Sequence, residues 1–222
     1  MYFVLFISIA LLSWAVSALL DHRFKKYAKV YLPLTGREVA EKMLRDNGIY
    51  DVQVTCTPGH LTDHYDPRNK TVNLSEAVYS SNNVAAAAVA AHECGHAVQH
   101  AFSYAPLNMR SALVPVVNFA SQWVTWILLG GILMVETFPQ LLLVGIILYA
   151  LITLFAFITL PVEINASRRA IAWLEQSGIT DYQTTPMASS ALRSAAYTYV
   201  VAALSSLGTL IYYILIFTSR RD

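Results

Sequence analysis

The sequence predicts a mainly α-helical membrane protein, with about four transmembrane helices and a small α+β region. Three observations carry that expectation. Of 222 residues, 56% are hydrophobic and 13% charged, whereas about a quarter of a soluble domain is charged. Four stretches, 1–20, 111–135, 137–162 and 194–219, contain no charged residue, and each reaches the about 20 residues a spanning helix needs. Between the first two stretches lies a polar segment with turn signals and short alternating runs. The net charge of +1 offers no basic field to nucleic acid, so the lipid bilayer is the partner that composition implies.

The first stretch reads as a retained anchor. Val16-Ser17-Ala18 resembles a cleavage site, but no basic n-region precedes it, as a secretory signal requires. Trp14, Trp123, Trp126, Tyr212 and Tyr213 suit membrane-interface or packing positions, and Gly130-Gly131 would let two helices approach closely. Arg23, Lys25, Lys26, Lys29, Arg110, Arg168, Arg169 and Arg193 fall on one side of the predicted crossings, with Glu136, Arg220 and Arg221 on the other. The positive-inside rule then places the polar region in the cytoplasm and the N-terminus outside. Cys56 and Cys94 have no metal or redox spacing and read as free thiols.

Within the polar segment, Thr35-Gly36-Arg37-Glu38 has the form of a capping box. Val39, Met43 and Leu44 continue as a helical apolar stripe, which Asn47-Gly48 ends. Val52, Val54 and Cys56 alternate as a strand, followed by a Pro58-Gly59 turn. Residues 60–66 read as a second extended piece, and Asp66-Pro67-Arg68-Asn69 as a turn. Thr71, Val72, Asn73 and Leu74 form another short strand, so a small antiparallel sheet is expected. Ser80-Ser81-Asn82-Asn83 offers helix caps. The alanine-rich run 84–101, free of proline, is the clearest helix of the region.

That helix carries Ala91-His92-Glu93-Cys94-Gly95-His96, an H-E-x-x-H match. Residues four apart share a helix face, so His92 and His96 can hold one zinc ion while Glu93 serves as general base for a water. Cys94 should lie on the far side of a regular helix. Gly95 costs about 1 kcal/mol against alanine inside a helix, which close approach of a neighbour or a substrate would offset. A catalytic zinc takes three protein ligands and keeps one open position. Three sources of the third are open: His100, the pair His60 and His64, and Glu163. His100 lies about 12 Å from His92 along a straight helix, too far to share one ion. Glu163 fits best, because two crossings separate it from the zinc helix and return it to the same side. Its plainer role is an acid at a helix N-terminus.

The blocks Tyr65-Asp66-Pro67-Arg68, Val72-Asn73-Leu74-Ser75, Val78-Tyr79, Ala88 through His100, and Leu160 through Ala170 resemble the YugP-type bacterial neutral zinc metallopeptidases of the membrane. More distantly, the plan is similar to membrane peptidases that combine H-E-x-x-H with a downstream E-x-x-A-D. The resemblance implies a zincin-like catalytic region and a third ligand at Glu163. It sets Ser167 where those enzymes carry an aspartate that orients a ligand histidine, and loss of such support can cost 10–100-fold in affinity or activity. It also implies proteolysis of membrane or misfolded proteins.

The function expected is therefore a membrane-embedded zinc metalloendopeptidase with one Zn2+ per chain and a protein or peptide substrate. The alternative is a non-catalytic metal-binding adaptor or chaperone subunit; Glu93 argues against it, since metal binding alone needs no such acid. An oligomer or a membrane partner fits either. The organisation expected is a first transmembrane helix over 1–20, a cytoplasmic zincin-like region over 21–110 and two transmembrane helices over 111–162. A segment returning the third ligand covers 163–193, and the last helix and tail 194–222. The strand Thr71, Val72, Asn73, Leu74 is a candidate edge for pairing with an extended substrate. Tyr79, His64, Arg168 and Tyr199 are candidate donors to the oxyanion, and His100 a candidate supporting residue.

Overall fold

A computed structural model describes residues 2–59 and 61–219. His60, among the histidines considered above, and Arg220 and Arg221 lie outside the described residues. The chain runs α1 (Tyr2–Tyr27), α2 (Gly36–Asp46), β1 (Gln53–Thr57), β2 (His64–Asp66), β3 (Thr71–Ser75), α3 (Glu76–Tyr79), α4 (Val84–Ala101), α5 (Ala105–Leu133), α6 (Pro139–Gln176) and α7 (Thr184–Ser219). It is mainly α, with one small sheet.

Four of these helices, α1, α5, α6 and α7, are long and apolar enough to cross a membrane. Their outward faces expose Trp14, Trp126, Ile147, Leu154 and Leu215, a continuous apolar surface that water disfavours and lipid accepts. Gly131 lets α5 and α6 pack closely: a Cβ there would stand 2.6 Å from Leu142 Cα. Gly130 meets only the tip of Leu141, at 3.4 Å, so one glycine of the pair makes the close contact. Helix α6 has 38 residues. At 1.5 Å per residue it is about 57 Å long, against about 30 Å of hydrocarbon. It continues without interruption past 162, and its far part packs among the polar-region elements.

The polar region grows from local signals. Thr35 caps α2 in a complete capping box, its side chain accepting from Glu38 N–H and its N–H donating to Glu38 Oε2 at 2.8 Å. Gly48 closes the helix at φ +71°, a conformation that costs glycine little. Asn83 caps α4 by accepting from Ala86 N–H at 2.9 Å. The alanine-rich face of α4 is buried, in one core with Val39, Met43 and Leu44 of α2, Val72 and Leu74 of β3, and Ala170 and Leu174 of α6. Small side chains let these backbones close around the helix that carries the motif. Arg23 and Tyr27 fasten α1 to α7, donating to Ser190 O at 3.0 Å and Ser190 Oγ at 3.1 Å.

The sheet differs from expectation in two respects. Its strand order is β1-β3-β2. Strand β3 pairs parallel with β1, from Gln53↔Thr71 to Thr57↔Ser75, and antiparallel with β2, from His64↔Asn73 to Asp66↔Thr71. The sheet is thus mixed, and Thr71, Val72, Asn73 and Leu74 form its central strand with no free edge. Val72 and Leu74 are fully buried, and the strand that buries most apolar surface takes the middle. The free edges belong to β1 and β2.

Candidate metal centre

Helix α4 presents His92 and His96 one turn apart, their rings edge-to-face with centroids 4.8 Å apart. Glu163 of α6 reaches both: its Oε2 lies 3.3 Å from His92 Nε2 and 3.5 Å from His96 Nε2. The three ligand atoms lie within 4.8 Å of one another. What brings α6 so near is Gly95, where a Cβ would stand 2.7 Å from Ala166 O. The neighbour that offsets this glycine's cost is therefore the backbone of α6. Glu163 sits well inside α6 rather than at its start, so the helix-terminus role considered for it does not apply.

The outer nitrogen of each ring is also engaged. Gln99, fully buried, donates through Nε2 to Val162 O at 2.8 Å and to Asn165 Oδ1 at 3.0 Å. Both amide hydrogens are then used, so Gln99 Oε1, 3.0 Å from His96 Nδ1, must accept. In its neutral form His96 carries its proton on Nδ1, which leaves Nε2, beside Glu163, free to bind a metal. Ser167 Oγ lies 3.1 Å from His92 Nδ1 and can fix the same tautomer, so this serine occupies the place that the resemblance gave to an aspartate. Asn165 is held in turn by Arg169 Nε at 2.8 Å. Such outer partners set ring orientation at metal sites.

Two imidazole nitrogens and a carboxylate oxygen suit zinc. An anionic Glu163 at 3% exposure also calls for a cation, because an isolated buried charge is expensive. The residues fit the ion on those grounds. Glu93 is buried at 9% exposure, yet its carboxylate borders two cavities that meet at the centre. One, of about 530 Å³, is walled by β2, α4, the start of α5, and Tyr199. The other, of about 170 Å³, lies toward α1 and α7 and is lined by Leu20, Phe24, Leu192 and Ala196.

Burial disfavours the His96 imidazolium, but the hydrogen bond and charge of Glu163, with the charge of Glu93, outweigh it and hold the pKa above its ordinary value. Burial pushes the Cys94 thiol well up, and its Sγ points away from the centre toward Ala40 O at 3.6 Å. Burial, then the charges of Asp51 and Asp66, raise the Tyr65 phenol.

The remaining residues singled out from sequence divide. His100 is exposed, with Nδ1 2.9 Å from Tyr65 Oη; it borders the larger cavity but stands outside the three-ligand group. His64 is on the same rim, its Nδ1 donating to Thr62 O at 2.7 Å and its Nε2 accepting from Asn73 Nδ2 at 3.2 Å. Tyr199 lines both cavities. Tyr79 lies elsewhere, its ring covered by Arg37 at 5.6 Å, and Arg168 lines a separate groove between α6 and α7 with Arg193 and Tyr197. Neither Tyr79 nor Arg168 faces the centre, which removes both as oxyanion donors. Sequence reasoning missed the roles of Gln99 and Asn165. Gln99 follows His96 by three residues, a spacing that shares a helix face, and that signal could have found it. Arg110 counted only as a charge for orientation, yet it lines the larger cavity.

A family model described as "Putative neutral zinc metallopeptidase" matches residues 2–218. Among curated proteins, the chain is similar to one from Bacillus subtilis (strain 168) named "Putative membrane protease YugP". The two are 44% identical over 201 residues, which cover 90% of this chain and 88% of that protein. No solved structure matches the chain.

Proposed function

The chain belongs to the neutral zinc metallopeptidase family whose model it matches, and from that premise we propose that it is a membrane-embedded metalloendopeptidase. The observation that carries the proposal is the convergence of His92 Nε2, His96 Nε2 and Glu163 Oε2, from helices 71 residues apart in sequence. These atoms would hold one zinc ion per chain. Bound there, zinc supplies Lewis acidity, polarising a peptide carbonyl and acidifying a water. Glu93, facing the cavities, takes the proton of the attacking water and returns it to the departing amine nitrogen. Ser167 and Gln99 keep the two rings in register while charge shifts around them.

The substrate is an extended peptide segment of a protein. Strand β2 supports this, since it ends the sheet and His64, Tyr65 and Asp66 line the larger cavity. A peptide added to that edge gains main-chain hydrogen bonds without demanding a particular sequence. The centre lies on the cytoplasmic side, as the distribution of lysine and arginine around the four apolar helices supports.

Glu93→Gln tests the reaction. Zinc content should stay at the wild-type level while hydrolysis of casein or a model peptide disappears. A variant that cleaves like wild type excludes Glu93 as the base. A metal-binding adaptor without catalysis would leave wild type and variant equally silent.

A further inference from the structure

Arg110, in the second turn of α5, forms part of the wall of the larger cavity with His92, Glu93, His96, Glu163 and Tyr199. Its Nη1 lies 3.8 Å from Glu163 Oε1, within ion-pair range and too long for a hydrogen bond. Its Nε is buried and has no hydrogen-bond partner among the described residues. The Glu163 carboxylate is thus shared, Oε2 toward the two imidazoles and Oε1 toward Arg110. A guanidinium has five N–H donors in a rigid fork, and a buried donor left unpaired is costly. Balancing the charge of Glu163 would need only a cation, without a fork of unused donors. The side chain is 33% exposed, so the remaining donors open onto the cavity where a peptide would lie.

We propose that Arg110 is a catalytic residue that donates to the scissile carbonyl oxygen as that oxygen becomes an oxyanion. The inference rests on the peptidase reading above. When the water oxygen bonds to the carbonyl carbon, the π pair moves onto the carbonyl oxygen and the water proton goes to Glu93. Arg110 N–H groups stabilise the new negative charge. On collapse the pair reforms C=O, the C–N bond breaks, and the nitrogen takes the proton from Glu93. Arg110 only donates hydrogen bonds and transfers no proton at any step. Among the donors considered from sequence, both nitrogens of His64 are committed, and Tyr79 and Arg168 lie elsewhere. Tyr199 shares the wall and is the rival donor that the test must separate from Arg110.

The test uses the full-length protein in detergent, with Arg110→Gln, Arg110→Lys, Arg110→Ala and Tyr199→Phe. Three quantities are read: bound zinc, kcat and KM on an internally quenched peptide blocked at both ends, and Ki for a phosphinic peptide that imitates the tetrahedral state. Arg110→Gln should keep its zinc and its KM while kcat falls about 10²–10³-fold, the effect of removing an oxyanion donor. The phosphinic peptide should weaken in parallel, Arg110→Lys should recover part of the rate, and free guanidinium should partly rescue Arg110→Ala. Loss of zinc in step with kcat would make Arg110 a support of Glu163 and overturn the proposal. So would a full effect in Tyr199→Phe with none in Arg110→Gln. A wild type that binds zinc but never cleaves refutes the peptidase reading and this one together, whereas active wild type with an unimpaired Arg110→Gln refutes this one alone.

Discussion

Gln99 holds the centre together at the scale of single atoms. It ties a ring nitrogen of α4 to the backbone of α6, through Val162 O. Gln99→Leu, which keeps the volume and strips the polar atoms, should weaken zinc binding about 10–100-fold in competition against a chromophoric chelator, with helical content intact. Ser167→Asp should act in the opposite sense, because a carboxylate is a stronger acceptor for His92 Nδ1–H. The histidine pair was legible in sequence because four-residue spacing is a local property of any helix. Glu163 was legible through the parity of two apolar crossings and through the family resemblance of the block around it. Arg110 was not, since which way a side chain faces depends on how α5 is rotated against α4, and no local pattern encodes that. A separate residue-scale expectation concerns acid. The hydrogen bond from Lys42, with a further one from Trp173 Nε1 at 3.1 Å, holds the Asp46 carboxyl below its ordinary range. A depressed folded-state pKa stabilises above the unfolded value of about 3.9 and ceases to do so as pH falls through the folded one. Asp46→Asn should therefore flatten the loss of thermal stability between about pH 5 and pH 3, measured as Tm against pH.

Between elements, the closest approach decides function. Gly95→Ala places a methyl against Ala166 O, where backbone and not a flexible tip stands in the way. Overpacking of this kind costs about 1–3 kcal/mol, and here it also separates Glu163 from the histidines. The expected result is a folded protein with sharply reduced zinc content; full zinc occupancy would mean that α6 can retreat without moving its carboxylate. The sheet yields a different expectation. Because β3 is paired on both sides, Asn73→Pro removes a ladder bond from an interior strand, where proline is not tolerated, at a cost of about 1–3 kcal/mol for the carbonyl left unpaired. Thermal stability, zinc and cleavage should fall together, and an unchanged Tm would contradict the central position of β3. Alternation showed the strands in the sequence, but their order was hidden. Pairing β3 between β1 and β2 is a non-local choice, made by where Val72 and Leu74 can be buried, and the short runs carry no record of it.

For the molecule as a whole, the two native cysteines report on topology. Cys56 is exposed on β1 of the sheet region, and Cys94 is buried against α2. A membrane-impermeant maleimide should label Cys56 in inverted vesicles and spare it in intact cells, while Cys94 reacts only after denaturation. Labelling of Cys56 in intact cells would reverse the proposed orientation. The apolar helices themselves were plain from composition. What composition could not convey is that α6 outruns the bilayer and works in the polar region with its last turns.

That arrangement has a temporal consequence. His92 leaves the ribosome 71 residues ahead of Glu163, and the α5–α6 hairpin must form before the two can meet. On the peptidase reading, a nascent chain that has not yet delivered α6 holds two ligands of the three and cannot cleave the proteins around it. Completion of the centre is in this way tied to the last stages of synthesis, when α6 has folded back against α4.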